Sequence, residues 1–146
     1  MSELLSSRSM PRSSASLAIT LVRVAAAGIL VIHGIARAKL GIVDDFSQAF
    51  EAWGFPFGFI LAWTVTVVEI VGGVALAVGF SIRPLALWFV AQLLAGIVLV
   101  HGREGWFVVG AGRNGVEFSV LLIVCLIAVA LSAREGYRVG GRAGSR

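Results

Sequence analysis

The chain reads as all-α: an integral membrane four-helix bundle, antiparallel and up-down, with a short interfacial helix between spans one and two. Three observations predict it. Of 146 residues, 58% are hydrophobic and only 14% are charged, well below the quarter or so usual in soluble domains. Mean hydropathy is +0.95. The apolar residues gather into four runs, each near the ~20 residues that cross a hydrocarbon core. Lipid offers no partner for free amides, so those runs must be helical.

The elements follow in order. Residues 1–15 are polar and rich in Ser and Arg, and a disordered cytoplasmic tail is expected there. The membrane domain is expected over 16–133. Its first span covers 17–36. Ala25-Ala26-Ala27 resembles a signal cleavage site, but Arg23 interrupts what would be the signal's apolar core, so a retained helix is the better reading. The segment 37–58 is amphipathic, with Phe46, Phe50 and Trp53 on one helical face, and reads as an interfacial helix ended by Gly54-Phe55-Pro56. Spans two and three cover 59–80 and 84–100. Ser81-Ile82-Arg83 joins them as a tight hairpin, and Pro84 opens the third where its missing N–H costs little. Residues 101–115 are glycine-rich, with Trp106 and Phe107 suited to headgroup depth. The fourth span covers 116–133. A basic cytoplasmic tail, 134–146, is expected to lie against anionic headgroups.

The net charge of +4 does not point to nucleic acid. The arginines flank apolar runs rather than forming a basic stripe, and no RNA-reading motif appears. Arg8, Arg12, Arg83, Arg134, Arg138, Arg142 and Arg146 fall on one side, and Arg37, Lys39, Arg103 and Arg113 on the other. The positive-inside rule then puts both termini in the cytoplasm. One cysteine, Cys125, excludes an intrachain disulfide and a dithiol site. Two histidines without zinc or haem spacing give no autonomous metal site. Val-His-Gly at 100–102 echoes Ile-His-Gly at 32–34, and Val-Glu recurs at 68–69 and 116–117, a faint internal repeat.

The polar residues inside the apolar runs carry any chemistry. Glu69 sits deep in span two, where a carboxylate needs a partner, a proton or a polar pocket. Arg23, His33 and Arg37 project within a sector of about 80° on span one, spread over about 20 Å, and are the candidate partners. Two readings stand for Glu69: a buried pair that only sets helix register, or a ligand- or proton-accepting group. Arg23 and Arg37 have a second reading as residues snorkelling to opposite headgroup layers. His101, Asn114 and Glu117 gather with His33 and Arg37 at the outer helix ends, where a cluster can exchange protons with water. Glu117 has the alternative of favouring its helix N-terminus through the dipole. Gln92, mid-span three, reads as an interhelical hydrogen bonder.

The order of these pieces resembles the DoxX family of small bacterial membrane proteins. The matching residues are Arg23, Ile32 to Arg37 (IHGIAR), Gly54-Phe55-Pro56, Glu69 to Gly73 (EIVGG), Gly79 to Pro84 (GFSIRP), His101 and Glu117. The resemblance implies a four-helix protein of the bacterial inner membrane. It also implies a place among membrane subunits of redox systems, including a thiosulfate:quinone oxidoreductase and oxidative-stress assemblies. Arg37 stands where the family usually has lysine, and the family's glycine-and-serine signature after the last span is replaced by Arg134-Glu135-Gly136-Tyr137.

The expected function is thus a DoxX-like membrane subunit of a redox system, with a quinone or another apolar ligand between helices lined by Arg23, His33, Arg37 and Glu69. The sequence carries no electron-carrier motif, so electrons would come from a partner redox protein or a bound cofactor. Membrane lipid and a homo-oligomer are the other expected partners. The rival readings are a non-catalytic anchor or assembly subunit, and a small proton-coupled transporter working as an oligomer.

Overall fold

Helix α1 spans Arg12–Lys39 and α2 spans Val43–Ala52. Helix α3, Gly58–Val67, passes through a π turn, Val68–Gly72, into α4, Gly73–Val78. Helix α5 is Ile82–Leu99, a 3-10 turn covers His101–Arg103, and α6 is Glu117–Arg142. This computed structural model describes the backbone of residues 12–110 and 112–142, and the side chains within 13–110 and 112–133. Among the described residues there is no strand. Three helices, Ser13–Lys39, Gly58–Val78 and Ile82–Leu99, are long and apolar enough to cross a membrane. The apolar part of α6, Glu117–Ala133, is shorter.

Two boundaries differ from the sequence reading. Residues 12–15, expected in a disordered tail, form the first turn of α1; residues 1–11 lie outside the described residues. Ser and Ala favour such a terminal turn. The helix α6 does not stop at 133 but runs on to Arg142, since no proline interrupts its ladder.

Contacts fix the relation of α1 to Gly58–Val78. A Cβ added at Gly34 would meet Ile70, Glu69 and Thr66; one at Gly73 would meet Val31 and Ala27; one at Gly79 would meet Arg23. Rising numbers on one helix face falling numbers on the other, so the pair is antiparallel. Small residues at the seam let the backbones approach closely. Gly79 closes α4 with φ +89, its N–H bonded to Leu76 and that of Phe80 to Ala75. This double bond caps the helix end and turns the chain into α5.

The core is Ala26, Ala27, Leu30, Leu76, Ala86, Phe89, Leu122, Leu126, Val129 and Ala130. It draws on α1, α4, α5 and α6. Helix α3 contributes none of it and packs instead on α2, whose Val43 and Ser47 are buried. Many other large apolar side chains are exposed, among them Leu21, Ile32, Ile60, Val71, Val98 and Val124. An apolar surface of this kind suits lipid as solvent.

Docking of α2 hinges on Gly58. A Cβ there would overlap the Ser47 carbonyl oxygen and crowd the Glu51 side chain. Backbone cannot give way as a side-chain tip can. Gly58→Ala is therefore expected to cost about 1–3 kcal/mol through overpacking and to release α2. Thermal unfolding in detergent should show the loss, and limited proteolysis should cut between residues 40 and 57 sooner than in wild type. Unchanged cleavage would refute the contact.

Candidate functional site

Glu69 stands in the π turn at the edge of the core. Its side chain is only 4% exposed, and that of Arg37 only 11%. Gly34 makes the approach possible, since α1 lies against the Glu69 Cβ at that residue. One turn further along α1, the Arg37 guanidinium reaches the carboxylate with both nitrogens. Nη1 donates to Oε2 at 2.9 Å, and Nη2 donates to Oε1 at 3.4 Å. The planar fork suits a carboxylate, and such charge-assisted bonds are among the stronger ones.

Three further groups complete the surroundings. Arg37 Nη1 also donates to Thr66 Oγ1 at 3.2 Å, and that hydroxyl donates to the Ala62 carbonyl at 2.8 Å. The Phe46 ring from α2 lies 4.6 Å from the guanidinium carbon, a cation–π contact. Gln92 reaches across from α5, and its Nε2 donates to Glu69 Oε1. The pair thus ties α1, α2, α3, the π turn and α5 together. Desolvating two charges is costly, and only this many partners repay it. The Gln92 Oε1 atom is buried without a hydrogen-bond partner.

The other expected site residues are distributed. His33 is exposed on α1, within electrostatic reach of Glu69, Arg37 and His101. His101 Nδ1 lies 2.9 Å from the Asn114 carbonyl oxygen. A carbonyl only accepts, so Nδ1 holds the hydrogen in this contact. Asn114 contributes its backbone, at φ 60, rather than its amide. Glu117 does not join the pair: its Oε1 accepts from the Val108 N–H at 2.8 Å and pins the loop before α6. Backbone bonds from Gly115, Val116 and Glu117 to Phe107, Gly105 and Trp106 close that loop. Arg23 lies at the other end of α1, against Gly79. Among the described residues no three His, Cys, Asp or Glu side chains converge as metal ligands.

Sequence reasoning found the acid and its candidate cations. It missed the π turn, the stacking of Phe46 on Arg37, and the identity of Gln92's partner. The signals were present but indirect. Gln92 is the one amide or charged side chain between Pro84 and His101, and Gly72-Gly73 stands three residues after Glu69. Paired glycines weaken a helix locally, and π turns are frequent at functional sites.

These features define a class: an all-helical integral membrane protein with a hydrogen-bonded ion pair buried between its helices. The family model named DoxX matches residues 18–102, more than half of the chain, and the chain belongs to the DoxX family. The match takes in α1 through α5 and ends at the His101 turn, so α6 and Glu117 lie beyond it. No curated protein and no solved structure matches the chain.

Proposed function

We propose that this protein is a four-span subunit of a redox system in the bacterial inner membrane, with α2 in the interface and both termini cytoplasmic. In this reading the Arg37–Glu69 site, with His33 beside it, receives the polar head of an apolar ligand such as a quinone. The observation that carries it is the combination of a buried charged pair with an exposed histidine in its field. An imidazole facing the lipid side can hydrogen-bond a carbonyl arriving from the bilayer and pass a proton on. Arg37 and Glu69 hold the electrostatic environment while His33 meets the ligand. Electrons come from a partner protein or a bound carrier.

One observation favours a second reading. Glu69 finds all its donors within its own chain, from Arg37 and Gln92. A network closed in this way also serves a non-catalytic anchor, locking helix register while partners do the chemistry.

A photoreactive quinone analogue separates the two. Added to the protein in nanodiscs, it should label peptides around His33, be displaced by unmodified quinone, and lose at least tenfold in yield in His33→Gln. Labelling spread evenly over the helices and indifferent to His33→Gln would leave the anchor reading.

A further inference from the structure

Arg23 lies on α1, inside the apolar run, and takes no part in the Arg37–Glu69 network. Its guanidinium lies over Gly79, the residue that closes α4, with both terminal nitrogens 3.5 Å from where a Cβ would stand. Its Nε is buried and has no hydrogen-bond partner. At that helix end the Ala75 and Leu76 carbonyls already take the N–H groups of Phe80 and Gly79. The negative end of the helix dipole favours a cation here, but that field supplies no hydrogen bond for the buried Nε.

Among the residues whose side chains are described, the acids lie away from this end; Glu3 and Glu135 fall outside those residues. Six of the chain's acids are Asp44, Asp45, Glu51, Glu69, Glu104 and Glu117. All belong to α2, the Glu69 site or the loop and helix start beyond α5. Within α1 from residue 13 to Lys39, within Gly73–Val78, within α5 and over 118–133 there is no acid at all. Arg83 stands exposed on the first turn of α5, four residues beyond Gly79. Among the residues whose side chains are described, Arg23 and Arg83 at the α4–α5 turn make no salt bridge.

Depth decides what can answer them. Gly58–Val78 runs for about 31 Å, the full thickness of a hydrocarbon core. Arg23 is level with its end, so the guanidinium sits at the boundary between acyl chains and headgroups. The anion available at that depth is a lipid phosphate. A guanidinium fork matches phosphate oxygens in pairs, and it carries less hydration to shed than an ammonium.

We infer that Arg23, with Arg83 and the Gly79–Arg83 turn, forms a binding site for the phosphate of an anionic lipid in the leaflet on that side. The site is separate from the Arg37–Glu69 pair and does not depend on the redox reading. The lipid phosphate accepts from the terminal guanidinium nitrogens of Arg23, which lie at the Gly79 turn, and fastens the α4–α5 turn onto α1.

Native mass spectrometry of the full chain tests this after exchange into micelles holding equal phosphatidylglycerol and phosphatidylcholine. Wild type should retain phosphatidylglycerol in preference, and Arg23→Gln should lower that retention at least tenfold. Arg83→Gln should lower it by a smaller factor. Equal retention of the two lipids by wild type would overturn the site. So would undiminished phosphatidylglycerol on Arg23→Gln. Displacement by millimolar inorganic phosphate would make the anion a free one rather than a lipid, and would also overturn it. Should Arg23→Gln not fold, a photoreactive phosphatidylglycerol on wild type decides: labelling of residues 79–83 supports the site, and labelling confined elsewhere rejects it.

Discussion

Glu69→Leu is expected to destabilise the protein by roughly 3–5 kcal/mol, the range found when one partner of a buried ion pair is removed. The substitution strands the Arg37 guanidinium, 11% exposed, with only Thr66 Oγ1 and the face of Phe46 for company. Arg37→Leu should be as damaging, because Glu69 then keeps Gln92 Nε2 as its sole donor. The combined variant Arg37→Leu with Glu69→Leu removes both charges at once. Well-packed apolar replacements of a buried pair are often neutral, so the double variant should recover most of what either single one loses. Unfolding in mixed micelles, arranged as a double-mutant cycle, reads the coupling. Additive single losses would show that the two charges do not depend on each other.

The second large effect is expected at Gly34. An added Cβ would lie 2.9 Å from Ile70 Cγ1, 3.0 Å from Glu69 Cβ and 3.1 Å from the Thr66 carbonyl oxygen. Ala there forces small shifts, and overpacking of this kind costs about 1–3 kcal/mol. Leu must push α1 away from the π turn altogether. Because Arg37 lies on the same helix one turn on, Gly34→Leu should also abolish the Arg37–Glu69 coupling when the cycle is repeated in that background. Gly28 provides the contrast. A Cβ there meets nothing within 4 Å, so Gly28→Ala should be neutral or stabilising by up to about 1 kcal/mol from helix propensity alone. Equal losses at the two glycines would remove the case for a close seam at Gly34.

The difference between those glycines shows where sequence reading stops. Gly28 and Gly34 both lie in the first apolar run, six residues apart, and nothing in the run says which of them meets another helix. Only the partner helix distinguishes them. Glu117 makes the same point from the other direction. Its position beside Asn114 and near His101 suggested a shared outer cluster, yet it closes its own loop through the Val108 N–H. Loop backbone left without a ladder competes for any nearby acceptor, and the spacing of polar residues carries no trace of that competition. Arg23 was equally ambiguous. On one helix it shares a sector with His33 and Arg37, but Arg37 alone reaches the carboxylate and Arg23 ends at Gly79, far down the same stripe.

By itself the sequence determined the solvent, the helical content, the family and the residue that most needs a partner. Those properties are local or additive: hydropathy sums over a run, backbone in lipid must bond to itself, and a carboxylate among apolar residues is costly wherever the chain goes. Only the tertiary structure decided that Arg37 is the partner and that Thr66, Phe46 and Gln92 complete the surroundings. It also decided that the helix carrying Glu69 relaxes into a π turn. Those outcomes depend on differences of a few tenths of an ångström in the spacing between helices, set jointly by Gly34, Gly73 and the side chains facing them. Close packing makes such distances a property of the whole bundle, not of any one helix.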